Sequence, residues 1–125
     1  MIGMSFQKLM IWQRSMTLAK RIYDLTKNIP KQEQFGLMSQ MKRAALSIPS
    51  NIAEGSQRTS DKDFANFILI ARGSLAELQT QLLFSRAMNF INEQQTKPVL
   101  EEIEEISKML YSFHSKLKAK SSKLL

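Results

Sequence analysis

The sequence predicts an all-α protein, an antiparallel up-down-up-down four-helix bundle, and three observations carry that reading. Apolar residues recur at spacings of three and four through four long stretches. Prolines, glycines and capping residues separate those stretches by short connections only. No stretch alternates with the period of two that marks a half-buried strand. Four helices of roughly 20 to 27 residues with short loops pack by default as antiparallel neighbours.

The first segment runs from about Phe6 to Asn28 and stops ahead of Pro30, because a residue before proline is biased away from helix. It carries two apolar stripes: Leu9, Trp12, Met16, Ala19 and Tyr23, and beside them Ile11, Leu18, Ile22, Leu25 and Ile29. On a wheel of ~100° per residue they cover an arc of roughly 200°, about twice what one bundle interface needs. The surplus is expected to meet a second subunit, with Arg14, Thr17, Lys20, Arg21 and Asp24 left exposed.

The second segment, about Gln32 to Glu54, is expected to end at Gly55 as a left-handed cap. Its core arc is Leu37, Met41, Ala44, Ile48 and Ile52. Pro49 interrupts the helix without shifting that phase, so the reading is a kinked helix with the proline outward and the Ala45 carbonyl open to water. Gln40, Arg43, Ser47, Asn51, Glu54 and Arg58 follow one another by three or four residues and so form a narrow polar stripe.

Ser60 with Asp63 three residues on gives the third segment a capping-box-like start, and the segment reaches about Met88. Phe64, Phe67, Ala71, Leu75, Leu78 and Leu82 make its seam, and Gly73 is read as permitting close helix approach. Asp63, Asn66, Ser74, Glu77 and Gln81 make a second polar stripe. Facing the first, it would bring Glu77 within bidentate reach of Arg43 and let Glu54 and Arg58 pair with the start of this helix. The fourth segment runs from the Asn92 to Pro98 region to about Lys118, with the seam Val99, Ile103, Ile106, Leu110, Phe113 and Leu117 and a frayed lysine-rich end.

The chain's 125 residues suit a single domain, 1–125, with its core over about 6–118. Hydrophobic residues at 43% and charged residues at 23% are the balance of a folded chain. The absence of cysteine excludes disulfides, thiolate metal sites and cysteine nucleophiles. No apolar run approaches the roughly 20 residues that span a bilayer, and Met1 to Met10 lacks the apolar centre of a signal peptide, so no membrane contact and a cytoplasmic location are expected.

Net charge is +7. Residues 1–50 carry eight Lys or Arg against Asp24 and Glu33, a balance of +6, so the excess is concentrated in the first two helices. A basic face of this kind suits RNA or DNA. Its candidate contacts are Arg14, Lys20, Arg21, Lys27, Lys42 and Arg58. Gln40, Arg43, Ser47, Asn51, Glu54, Ser74, Glu77 and Gln81 are read as a structural polar network that sets register and subunit packing. No catalytic or metal-ligating set is expected. Glu54 and Glu77 suggest a di-iron bundle, but that site needs two histidines and His114 is alone. No glycine loop is built to cradle a phosphate, and no cofactor is implied.

The runs LMIWQRSMTLAKRIYDLT, FGLMSQMKRAALSIPSNIAEGSQR and FANFILIARGSLAELQTQL resemble the four-helix bundle family first known as the 23S ribosomal RNA intervening-sequence proteins, over about Phe6 to Leu117. The SIPSNIAEG element, Ser47 to Gly55, is the most specific part. The resemblance implies a bundle that assembles into a ring, typically a homopentamer. The bundle is also similar to accessory variability proteins of diversity-generating retroelements, basic pentamers that engage nucleic acid and a reverse transcriptase. On these grounds the expected protein is a non-enzymatic homo-oligomer that binds RNA or another nucleic acid through its Lys/Arg face. The alternative is a protein-interaction scaffold or an accessory subunit of a nucleic-acid enzyme such as a reverse transcriptase.

Overall fold

A computed structural model describes residues 5–123. The chain is an all-α four-helix fold, with no strand among the described residues. Helix α1 spans Met10–Thr26, α2 Leu37–Ser56, α3 Asp61–Ala87 and α4 Glu93–Lys123. Single 3-10 turns at Phe6–Lys8 and Lys31–Glu33 precede α1 and α2. The second helix thus begins at Leu37 rather than Gln32, because the 3-10 turn bonded to the Pro30 carbonyl and the turn through Gly36 occupy the intervening residues.

Local chemistry sets the other ends. Ser60 Oγ accepts from the Asp63 amide at 3.1 Å, and Asp61 and Asp63 lie where the helix dipole favours negative charge. Asn92 and Gln95 cap α4 reciprocally: Asn92 Oδ1 accepts from the Gln95 amide at 2.8 Å, and Gln95 Oε1 from the Asn92 amide at 3.3 Å. The left-handed cap expected at Gly55 belongs instead to Asn89, with φ 61°. There Phe90 N bonds back to Ser85 O and Asn89 N to Arg86 O, closing α3. Helix α4 passes the expected end at Lys118 and runs to Lys123, so Lys116, Lys118 and Lys120 are exposed on a helix rather than on a frayed tail.

The core is one cluster contributed by all four helices, including Leu18, Ile22, Met41, Ile48, Phe64 and Ile103. Phe64 meets Phe113 edge-to-face at 5.2 Å between centroids. Four seams close the bundle: α1 with α2, α2 with α3, α3 with α4, and α4 with α1. Along the α2–α3 seam Met41 lies by Ser85, Ser47 by Ser74, and Gly55 by Phe64 and Phe67.

Three expectations for these helices are corrected. Gly55 lies inside α2, buried, where an added Cβ would stand 2.6 Å from Phe67 Cβ and 2.9 Å from a Phe64 ring carbon. Gly55 is therefore the residue that lets α2 and α3 approach, and Gly73, read for that role, faces open space. Pro49 is buried, not outward, and Ala45 is fully buried, so its carbonyl is not left to water. The helix passes through Pro49 as one element.

Candidate nucleic-acid interface

Two concave surfaces flank α2. The larger, about 750 Å³, opens where the end of α1, the turn after it and the first half of α2 meet. Four cations line it: Lys27, Lys31, Lys42 and Arg43. Two rings stand among them, Tyr23 at 39% exposure and Phe35 at 91%. No carboxylate lines this groove among the described residues. Asp24 stands beside it, 3.4 Å from Lys27 Nζ, in a largely solvated pair that contributes little. Lys42 Nζ rests 5.0 Å above the Tyr23 ring, a contact that holds the ammonium at the groove surface without neutralising it.

The predicted cationic face divides over this geometry. Lys27 and Lys42 meet in the groove, and Lys20 lines the adjoining hollow with Met16, Tyr23 and Leu46. Arg14 is elsewhere. It reaches α4, donating through Nε to Glu102 Oε1 at 3.0 Å, through Nη2 to Glu102 Oε2 at 2.7 Å, and to Glu105. The hydrogen bonds to Glu102 and Glu105 hold its guanidinium pKa above the ordinary arginine value. Its charge is matched by two carboxylates, so it contributes no free cation to a basic face. Arg21, seven residues on, shares that side of α1. Arg58 stands past the far end of α2, bonded to Glu54 at 3.0 Å and stacked 4.7 Å from the Phe67 ring centre.

The second surface, about 450 Å³, is a polar cleft between α2 and α3 lined by Gln40, Arg43, Ala44, Ser47, Ser74 and Glu77. It brings the two predicted polar stripes together, though not in the predicted pairs. Ser47 and Ser74 hydroxyls lie 2.8 Å apart, and Asn51 Nδ2 donates to Ser47 O at 2.7 Å and Oγ at 2.9 Å. Gln81 Nε2 donates to Glu77 at 3.4 Å within α3. Arg43 and Glu77 both line the cleft and are exposed, and they make no ion pair among the described residues. Glu54 and Arg58 pair with each other along α2 instead of with the start of α3, since i,i+4 spacing already places them in contact.

Sequence reading missed Lys31 and Phe35 as members of the groove. Lys31 lies between the predicted segments, where periodicity says nothing, and Phe35 lies in the second segment ahead of its apolar arc, although a phenylalanine in the polar run KQEQFG was a visible anomaly. On α4, burial lowers the His114 pKa from its ordinary 6.5, with Lys118 and Arg72 adding to the shift. Arg72 stacks 5.1 Å from the Tyr111 ring centre. Among the described residues no three of His, Asp or Glu converge as a metal set, and no helix is long and apolar enough to cross a membrane.

Fold and surface together define a class: a small helical bundle with a carboxylate-free cationic groove and a polar cleft beside it. The chain belongs to the 23S rRNA-intervening sequence protein family, whose model matches residues 7–112. It is similar to a crystal structure of a protein of unknown function from the S23 ribosomal protein family of Bacteroides thetaiotaomicron, at 29% identity and a TM-score of 0.75. That match covers 83% of this chain and 97% of the other. A comparison with curated proteins finds no match.

Proposed function

We propose that this protein is a non-enzymatic, homo-oligomeric bundle of the cytoplasm that binds RNA or another nucleic acid through the α1–α2 groove. The observation that carries the reading is four cations around one concavity without a lining carboxylate, in a chain of net charge +7. Lysine ammonium groups and an arginine fork offered this way recognise phosphates by charge and displace counterions. Binding of that kind is salt dependent and indifferent to sequence.

An antiparallel up-down-up-down order underlies this arrangement, supported by Met41, Ser47 and Gly55 meeting partners of steadily lower number in α3. A bend of α2 is expected at Pro49, which lacks the amide of one helical hydrogen bond. Assembly into a ring, typically of five copies, is part of this proposal, as the resemblance implies. It is supported by two unlike apolar surfaces: Met16 and Leu46 in the hollow that adjoins the groove, and Leu69, Ile70, Leu83 and Phe84 exposed on α3. Unlike surfaces that meet head to tail close rings when the rotation allows.

The test is anisotropy of a labelled structured RNA across roughly 50 to 200 mM salt with the wild type, Lys31→Glu with Lys42→Glu, and Arg21→Glu as a control outside the groove. The groove variant is expected to bind roughly tenfold more weakly at low salt, with a shallower salt slope. Equal binding by a folded groove variant would remove the groove from the reading. No binding by the wild type would favour a scaffold or an accessory subunit of a nucleic-acid enzyme.

A further inference from the structure

Phe35 is unusual among the exposed apolar residues, because its ring is 91% exposed and stands in the cationic groove. Burying a phenylalanine ring is favourable by roughly 1.5–3 kcal/mol, and Phe35 forgoes nearly all of that within one copy of the chain. Tyr23, the groove's other ring, has a face taken by the Lys42 ammonium at 5.0 Å. Phe35 therefore presents the open aromatic face, with Lys31 on the preceding turn and Arg43 and Lys42 on the helix that follows. Two carboxylates stand near without entering. Asp24 pairs with Lys27, and Glu33 folds against Gly36, its Oε2 3.3 Å from where a Cβ there would lie.

A ring that lines one groove with four cations fits a ligand that offers a flat apolar face and an anionic backbone together. Duplex nucleic acid hides its base faces in the stack and presents only phosphates and groove edges, whereas unpaired nucleotides offer both. Building on the reading above, we propose that the groove selects single-stranded nucleic acid, with one unpaired base stacked on Phe35 and the flanking phosphates held by Lys31, Lys42 and Arg43. A second copy of the chain is the less fitting occupant, because its net charge of +7 would meet a groove of the same sign.

The test uses the full chain, an unstructured labelled RNA of about 12 nucleotides and a duplex of equal length, within the roughly 4–16 nucleotides such sites occupy. Single strand is expected to bind more tightly than duplex. Phe35→Ala should weaken single-strand binding by roughly 5- to 150-fold, the range for losing one stacked base, while leaving duplex binding and the salt slope unchanged. Phe35→Trp should retain affinity and show indole quenching on binding. Because Phe35 supports no core contact, both variants should melt with the wild type.

Phe35→Ala binding single strand as the wild type does would overturn stacking and leave nucleic-acid binding by the groove standing. Equal weakening toward strand and duplex would overturn single-strand selectivity. A drop in solution mass by light scattering in Phe35→Ala would assign the ring to a contact between copies and overturn the proposal. Failure of the wild type to bind either RNA would overturn both the proposal and the reading beneath it.

Discussion

The α2–α3 seam and the α4–α1 seam join helices of the same bundle by opposite means. At one end of the α2–α3 seam, buried Gly55 leaves no room for a methyl group beside Phe64 and Phe67, and a pair of serine hydroxyls bridges the middle at 2.8 Å. The α4–α1 seam uses reach instead: Arg14 extends to Glu102 in a fork of 2.7 and 3.0 Å, takes in Glu105, and brings its Nη1 to 3.4 Å from Met109 Sδ. A seam set by backbone approach has no slack, since overlap of hard atoms rises steeply with a fraction of an ångström. Long charged side chains tolerate movement and respond to solvent. The same fold therefore has one seam sensitive to volume and one sensitive to ionic strength.

The largest expected effect is at the tight seam. Gly55→Ala places a Cβ 2.6 Å from Phe67 Cβ, a stem atom that cannot swing aside, so the helices must separate. The cost should be about 2–3 kcal/mol even after the gain in helix propensity, read as a fall of roughly 5–15 °C in Tm. A wild-type melting curve for Gly55→Ala would show that the seam has slack and would dissolve the contrast.

Arg14→Ala comes next, at about 1–2 kcal/mol, since the fork is two-thirds shielded while Glu105 is mostly exposed. This loss should shrink when urea melts are repeated in about 1 M salt, where screening is short-ranged. A loss independent of salt would mean that the Arg14 stem matters through packing on Met109 rather than through charge.

Gly73→Ala sharpens the comparison with the opposite sign. It lies inside α3, and nothing comes within 4 Å of an added Cβ, so in the single copy it should stabilise by about 0.5–1 kcal/mol. A destabilised Gly73→Ala would place another copy of the chain against that face.

The smallest effect is the pH response of His114. Its folded pKa lies below the unfolded value of 6.5, so the unfolded chain binds the proton first as pH falls. That contribution is fully present above about pH 6.5 and declines from there down to the folded pKa, where it levels off. His114→Gln should flatten stability between roughly pH 7.5 and 5.5 relative to the wild type, measured by urea midpoints. Parallel profiles would show that carboxylates alone set the acid limb.

Periodicity in the chain was enough to reveal the four helices and their inward residues. Seam residues that spacing alone points to, such as Val99, Ile103, Ile106, Leu110 and Leu117, are buried as expected, because burying an apolar stripe of period 3.6 is a local property of sequence. The cap at Ser60 was legible for the same reason: donor and acceptor lie within one turn of each other. The basic bias of the first half was equally plain, since charge adds without reference to fold.

What spacing could not decide was which residue meets which across helices. Gly55 takes the close-approach role expected of Gly73, which faces open space, because a glycine's use depends on what the neighbouring helix places opposite it. Pro49 turns inward, Arg14 leaves the basic face for Glu102, and Arg43 lines the cleft without pairing to Glu77, each outcome settled by the rotation and separation of two helices. Phe35 and Lys31 enter the groove from the 3-10 turn and the residues after it, which stand ahead of the apolar arc of α2. The four helices, their core faces and the excess of positive charge are local or additive quantities, already present in the order of residues. Only the tertiary structure gathered the groove and chose the partners, because those depend on distances between residues far apart in the chain.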